Sequence, residues 1–226
     1  GDFPIVRNTL PDDITILTDA SKRAPRTEVA RFILSDLDSA IMLMNDASPD
    51  GKKNRLSKPV AQLFKSRVAL YEGTWLKNFQ GTSFVPNGPG WPGADKDYNS
   101  GYAFPSGSLD GEIDFFLSEA MDAASSVADA IDLETNTMTA QAETDFNDFA
   151  NASMNNPYCQ MFSNEDLSSF DEVLFWRDYD VGLNVRHGAA IYSQKGNRGG
   201  GLTRGFVDSF LMNNGLPVYA GGSGYS

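Results

Sequence analysis

The chain has 226 residues, a formal net charge of -12 at pH 7 and one cysteine, Cys159. The excess of acids argues against a nucleic-acid-binding protein, because phosphates require a basic surface, and a single cysteine excludes an intrachain disulfide. Hydrophobic residues make up 41% of the chain, which suffices for one large domain or two small ones. No apolar run approaches the ~18 residues that a membrane-spanning helix needs.

The first periodic pattern predicts an antiparallel pair of helices over residues 27–79. After an irregular opening, apolar residues recur at helical spacing from 27 to about 45 and again from 57 to about 78. Ser57 stands where an N-cap accepts the first free amides, and Pro59 fits the first turn of a helix. The stripes predicted to be buried are Val29, Phe32, Ile33, Leu37, Ala40, Ile41 and Met44 in the first helix, and Val60, Phe64, Val68, Tyr71 and Trp75 in the second.

An aromatic insertion over residues 82–108 separates this pair from a third predicted helix over residues 110–130. The insertion is too long for an ordinary turn between paired helices, and its aromatic content is high for a disordered segment, so an ordered insertion is expected. The third helix carries its own apolar stripe, which consists of Ile113, Phe116, Leu117, Ala120, Ala124, Val127 and Ala128.

The remainder of the chain is patterned more weakly. Residues 131–202 are predicted to be irregular, with a short helix over 141–149 and a strand over 171–178. A final helix is predicted over 203–213, with Thr203 as its N-cap.

Five segments, in the same order along the chain, resemble those of one protein family. They are GDFPIV at 1–6, DLDSAI at 36–41, the helix over 55–75, FDEVLFWR at 170–177, and the run from GGGLT to NGLP over 199–217. Together they are similar to the SusD/RagB family, the surface glycan-binding lipoproteins of Bacteroidetes. The core of that family is built of tetratricopeptide-like helix pairs. Val29 and Val60 lie 31 positions apart, close to the ~34-residue tetratricopeptide period.

The resemblance implies a mainly α fold of tetratricopeptide-like antiparallel helix pairs, with long irregular insertions and a short strand element. Residues 1–226 would form the central part of one SusD-like domain, with both family termini absent. The implied protein is outward-facing and held at the outer membrane by a lipid anchor that this chain does not contain. It would capture oligosaccharides without catalysis or cofactor and deliver them to a SusC-like TonB-dependent transporter. A tetratricopeptide scaffold that binds a protein segment is the alternative.

The aromatic insertion supplies the candidate ligand contacts. Aromatic rings stack on the apolar face of a sugar, while carboxylates and amides bind its hydroxyl edge. Trp91, Tyr98 and Tyr102 offer the rings, and Asn87 and Asp97 offer the polar groups. The GWPG sequence around Trp91 is expected to present its ring on a stiff, exposed turn. The competing interpretation is that these aromatics anchor the insertion to the helices.

The acidic balance of the chain favours a neutral oligosaccharide over an acidic one, because like charges repel. A local basic patch, such as Arg198 and Arg204, would be the exception.

Three further patterns favour ordinary structural roles. Asp95, Asp97 and Asn99 have the spacing of a calcium loop, but serines occupy the positions of its glycine and its bidentate glutamate, so a polar turn is expected. The glycine-rich run over 196–203 lacks the lysine of a phosphate-binding loop. His187 is the only histidine, which argues against a histidine-rich metal site.

Carboxylates at the start of the third helix are the only candidate catalytic pair. Asp110, Glu112 and Asp114 could serve as glycosidase carboxylates. Acids in a first helical turn also favour the helix dipole, which is sufficient reason for their presence. The chain is therefore expected not to be an enzyme.

Overall fold

The computed structural model describes residues 1–135, 157–180, 182–186, 188 and 203–225. Within these residues the protein is mainly helical, with six helices and no strand. The helices are α1 (Ile14–Ala20), α2 (Arg26–Leu43), α3 (Lys58–Asn78), α4 (Leu109–Ala128), α5 (Pro157–Ser163) and α6 (Arg204–Val207).

The structure divides into two compact units, Gly1–Asp178 and Tyr179–Ser226. Helices α1 to α5 belong to the first unit. The second unit contains α6 and an isolated antiparallel bridge between Leu211 and Pro217.

The three long helices confirm the predicted helix pair and third helix to within about two residues at most of their ends. Ser57 is the N-cap residue of α3, as predicted, but its side chain makes no capping hydrogen bond to the helix. Ser108 does cap α4, because its hydroxyl accepts a hydrogen bond from the amide of Gly111 at 3.0 Å. Of the three long helices, α4 alone begins with a side-chain cap hydrogen bond.

Helix α3 lies between α2 and α4 and packs against both. Gly73 brings α3 close to α4, since a Cβ atom at this position would lie 2.9 Å from Cδ2 of Leu117. The tetratricopeptide geometry of the pairing is not confirmed. The buried core consists of Ala30 and Leu34 from α2, Ala69 and Leu76 from α3, Val85 from the insertion, and Ile113, Phe116 and Ala120 from α4.

The face that α3 buries differs from the predicted stripe. Phe64 is 53% exposed and Tyr71 is 60% exposed, so neither belongs to the core. Close contacts between helices favour small side chains, and α3 accordingly buries one large apolar residue, Leu76, while Phe64 and Tyr71 lie on its outer face. The residues that α3 buries are Ala61, Ser66, Ala69, Glu72, Gly73 and Leu76.

An ion-pair network also connects the three helices. Lys65 of α3 contacts Asp38 of α2 at 2.7 Å and Glu119 of α4 at 2.6 Å. Burial alone would lower the pKa of Lys65, but the two carboxylates outweigh it and raise the pKa above its ordinary value. The amine therefore stays charged and holds α3 to both neighbours.

The insertion over residues 82–108 is ordered, as predicted, and consists of successive tight turns. The amides of Gly88, Trp91 and Ala94 donate hydrogen bonds to carbonyl oxygens three residues earlier, at 2.9, 3.0 and 3.1 Å. Val85 is buried in the helical core. These turns satisfy the backbone of a long connection without a sheet or a regular helix.

The predicted strand over 171–178 is not confirmed; the segment contains a turn followed by irregular chain. The segment bonds to the turn before α3 instead. The backbone amide of Trp176 donates to the carbonyl of Lys53 at 3.1 Å, and its indole donates to the carbonyl of Lys52 at 2.6 Å. Lys53 in turn donates through its amine to the carbonyl of Phe170 at 2.6 Å.

The predicted final helix over 203–213 begins correctly but is much too long. The Thr203 hydroxyl accepts from the amide of Phe206 at 3.2 Å, which confirms the N-cap. Helix α6 then ends after a single turn. Beyond it the amide of Met212 donates to the carbonyl of Leu216 at 2.8 Å, so a chain reversal replaces the helical bonds.

Two short helices, α1 and α5, lie where the sequence predicts irregular chain. The carboxylate of Asp13 caps α1, since it accepts from the amides of Thr15 and Ile16 at 2.9 and 3.0 Å. The predicted helix over 141–149 and most of the glycine-rich run over 196–203 lie outside the described residues.

The core can be tested with two phenylalanines of opposite burial. We expect Phe116→Ala to lower the free energy of unfolding by about 3–5 kcal/mol, because it removes a fully buried ring. Phe64→Ala, at an exposed position on α3, should cost less than about 1 kcal/mol. Denaturant unfolding followed by circular dichroism measures both values. Equal losses in the two variants would contradict the observed orientation of α3.

Candidate functional site

A cleft of about 360 Å³ opens beside the C-terminal half of α3. The start of the chain, the segment before α2 and the insertion form its other walls. Four aromatic side chains and five charged or amide side chains line it. They are Trp75, Phe84, Trp91 and Tyr98, with Asp2, Arg23, Arg26, Lys96 and Asn99.

Trp75 is held against the wall of this cleft by three neighbours. Its indole nitrogen donates to the carbonyl of Phe84 at 3.2 Å, and the ring of Phe84 meets it edge-on at 6.3 Å. The guanidinium of Arg26 lies over the indole, 4.4 Å from its centre. The Phe79 ring adds a further contact at 4.3 Å. Such contacts fix the ring orientation before any ligand arrives.

The guanidinium of Arg26 is itself fixed by a buried ion pair. It donates two hydrogen bonds to the carboxylate of Glu72 on α3, at 2.7 and 2.6 Å, and its residue is only 5% exposed. The backbone amide of Arg26 donates to Oδ1 of Asp2 at 2.9 Å. A planar guanidinium bonded to both carboxylate oxygens has a single favoured orientation.

Trp91 is an anchor, and the prediction of an exposed ring at this position is wrong. The residue is 4% exposed, and its indole nitrogen donates to Oδ2 of Asp2 at 2.8 Å. Gly93 covers the ring so closely that a Cβ atom there would lie 2.2 Å from Cζ2 of Trp91. The GWPG sequence therefore folds the ring inward, because its glycine leaves room for the indole.

Tyr102 also anchors the insertion and does not line the cleft. Its hydroxyl shares a hydrogen bond with the hydroxyl of Thr27 on α2, and its ring lies 5.7 Å from Trp91 and 5.5 Å from Phe104. Burial raises the pKa of Tyr102 to about 12. The phenol is therefore neutral at physiological pH.

The other three predicted ligand residues are exposed. Tyr98 lines the cleft and is 44% exposed, on a short 3₁₀ turn that spans Asp97–Asn99. Asp97 lies on the same turn but outside the cleft. Asn87 also lies outside the cleft, and its side-chain amide donates to the carbonyl of Tyr102 at 3.2 Å, a bond within the insertion. Of the five predicted residues, only Tyr98 and the edge of Trp91 border the cleft.

The sequence interpretation missed most of the residues in the cleft wall. Trp75 had the spacing of a buried helix stripe, and Arg23 and Arg26 belonged to no recognised pattern. Phe84, 58% exposed, was visible as an aromatic of the insertion, but nothing distinguished it from the anchoring rings. The only available signal was the concentration of aromatics between residues 82 and 108.

Glu112 is a structural carboxylate. It is fully buried, receives two hydrogen bonds from Arg31 at 2.7 and 3.0 Å, and accepts another from the amide of Ser106 at 3.1 Å. Burial alone would raise the pKa of Glu112, but these bonds outweigh it and hold the pKa below its ordinary 4.5. A glycosidase acid needs the opposite shift. Asp110 and Asp114 are exposed on the same helix.

Within the described part of the chain, no group of three or more histidine, cysteine, aspartate and glutamate side chains could hold a metal ion. At the calcium-like spacing, the side-chain amide Nδ2 of Asn99 donates to the carbonyl of Gly93 at 3.2 Å, while Asp95 and Asp97 are exposed. His187 lies outside the described residues. None of the described helices combines the length and apolar character required to cross a membrane.

No protein-family model, curated protein or solved structure matches the chain. The similarity to the SusD/RagB family therefore rests on the five sequence segments given above. The function is inferred from these segments together with the cleft.

The lowered pKa of Glu112 predicts a stability that depends on pH. Because the folded state favours the ionised form, the Arg31–Glu112 pair stabilises the protein above the ordinary glutamate pKa of 4.5. This contribution disappears as the pH falls through the lowered value. We expect Glu112→Gln to cost about 3 kcal/mol at neutral pH, since it leaves Arg31 without its charged partner.

The measurement is the free energy of unfolding of both proteins between about pH 7 and pH 3. The difference between wild type and Glu112→Gln should shrink as the pH falls below the ordinary value. A constant difference across this range would show that the charge of Glu112 contributes nothing to stability.

Proposed function

We propose that the protein is a SusD-like, non-catalytic cell-surface protein that binds oligosaccharides for nutrient uptake. The observation that carries the proposal is the aromatic cleft beside α3. Phe84 and Tyr98 expose large parts of their rings there, and Trp75 lies in the same wall. Exposed rings that meet in one concave site suit the apolar faces of sugar rings.

The size of the cleft also supports a short stretch of glycan as its ligand. At about 360 Å³ it lies near the lower end of the range for small-molecule sites, roughly 300–1,000 Å³. Polar side chains at its edge, such as Asn99, can contact sugar hydroxyls. A site that alternates apolar and polar surface in this way fits a ligand with an apolar face and a hydroxylated edge.

The fixed wall of the cleft reduces the entropy lost on binding. Trp75 is held by Arg26 and the carbonyl of Phe84, and Trp91 is held by Asp2. Side chains that are already ordered lose little further freedom when a ligand arrives. The anchoring aromatics therefore contribute to binding indirectly, by positioning the exposed ones.

The remaining parts of the proposal follow from the sequence resemblance. The protein would be lipid-anchored at the outer membrane and face outward, and it would need no cofactor. Its partner would be a SusC-like TonB-dependent transporter that receives the bound oligosaccharide.

A second candidate, a tetratricopeptide scaffold that binds a protein segment, is favoured by one observation. One face of α3 carries four apolar side chains that are roughly half exposed. They are Leu63, Phe64, Leu70 and Tyr71. Contiguous exposed apolar residues are typical of protein contact surfaces. This face adjoins the cleft, since the ring of Tyr71 lies 5.9 Å from that of Trp75, but none of its four residues lines the cleft.

The glycan proposal predicts that the exposed rings dominate binding. We expect Phe84→Ala and Tyr98→Ala each to weaken oligosaccharide binding by about 1–2 kcal/mol, since each removes a stacking surface. The melting temperature should change little, because both rings are largely outside the core. Calorimetric titration against a panel of oligosaccharides measures the affinities, with Phe64→Ala as the matched control on α3. Unchanged affinity in both cleft variants would contradict the cleft as the glycan site.

The α3 face predicts a separate loss of protein binding. We expect Leu63→Lys combined with Phe64→Lys to abolish co-purification with the proposed partner, a SusC-like TonB-dependent transporter, because two buried charges are costly at an apolar contact. Oligosaccharide affinity should stay unchanged, since neither residue lines the cleft. Retained co-purification would show that this face is not the contact surface.

A further inference from the structure

The charged side chains that line the cleft differ in how many hydrogen-bond and ion-pair partners they already have. The carboxylate of Asp2 already accepts hydrogen bonds through both oxygens, from the amide of Arg26 at 2.9 Å and from the indole of Trp91 at 2.8 Å. The guanidinium of Arg26 is neutralised by Glu72 at 2.6 Å. These groups therefore have little capacity left to bind a ligand's charge.

Arg23 and Lys96 differ from this pair. Both line the cleft and are exposed, and no described carboxylate lies within salt-bridge distance of either side chain. Two basic side chains from distant parts of the sequence thus line one site without a direct ion pair. With Arg26 paired to Glu72, these two cations against the single carboxylate of Asp2 leave the cleft lining with an excess of positive charge, although the whole chain carries a net charge of -12.

The backbone at both cations is held in place. Residue Ala24, next to Arg23, exchanges two hydrogen bonds with Phe3, at 3.1 and 3.0 Å. The amide of Lys96 donates to the carbonyl of Gly93 at 3.2 Å, and its carbonyl accepts from the amide of Asn99 at 2.8 Å. The two side chains therefore extend from fixed points of the cleft wall.

We propose that the cleft selects oligosaccharides that carry a carboxylate or sulfate group, which Arg23 and Lys96 bind. The proposal rests on the oligosaccharide function argued above and names the class of glycan. A uronic acid or sulfated sugar keeps an apolar face for Phe84 and Tyr98 while it presents its anionic group at the ring edge. Arginine can bind such a group through two parallel hydrogen bonds, and lysine contributes a compact charge.

This ligand class differs from the neutral one that the net charge predicts. Surface charges more than about 8 Å away are largely screened at physiological ionic strength. The acids elsewhere on the chain therefore influence the cleft less than the two cations in its wall. Local charge in a concave site, rather than net charge, determines which ligands it attracts.

The test compares matched ligands with matched variants. The ligands form a panel of uronate, sulfated and neutral oligosaccharides. The panel includes a matched pair, an oligogalacturonate and its methyl ester, which has the same sugar rings without the charge. The variant is Arg23→Gln combined with Lys96→Gln. The control is Arg67→Gln combined with Lys77→Gln, which removes the same charge from exposed positions that do not line the cleft. Thermal melts establish that both double variants are folded.

We expect the tightest ligand of the panel to be anionic. Its affinity should fall roughly tenfold in the Arg23→Gln/Lys96→Gln variant and remain near wild type in the control, and added salt should weaken it in wild type. Neutral ligands should bind the cleft variant and wild type alike. If the tightest ligand is neutral, or if both double variants lose affinity equally, the anionic selectivity is overturned while the oligosaccharide function stands. If no oligosaccharide binds, the oligosaccharide function is overturned, and the anionic selectivity with it.

Discussion

The buried ion pair between Arg26 and Glu72 is the interaction on which the rest of this structure depends. It joins the start of α2 to the C-terminal half of α3, and the same guanidinium covers the ring of Trp75. The backbone of Arg26 also binds Asp2, which holds Trp91 through its other oxygen. Removal of either charged partner would leave an uncompensated charge in the interior, a loss of about 3–5 kcal/mol. One pair thus connects helix packing, the start of the chain and the aromatic insertion.

The position of α3 between two other helices explains where the aromatic residues lie. Its contacts with α2 and α4 require small side chains such as Ala69 and Gly73. Larger apolar residues such as Phe64 are therefore displaced to the outer face, and Trp75 to the boundary of the core. The close packing of the helices produces both the exposed apolar face of α3 and the aromatic wall of the cleft.

The aromatic residues of the insertion divide into two groups with different roles. Trp91 is buried, Tyr102 is half-buried, and both are hydrogen-bonded, so they fix the insertion to α2 and to the start of the chain. Phe84 and Tyr98 are exposed and offer their rings to a ligand. The anchors make the exposed rings rigid, and this division supports a binding protein whose site is formed before its ligand arrives.

The sequence by itself determined the long helices and the order of the insertion, because helical periodicity and turn chemistry depend on near neighbours in the chain. Phe116 could be assigned to the core in this way. Tertiary structure decided that Trp91 points inward, since its partner Asp2 and the close approach of Gly93 depend on how the insertion folds back. It also brought Arg23 and Lys96 into one cleft. The composition of a binding site depends on contacts between distant segments, and local sequence patterns carry no information about such contacts.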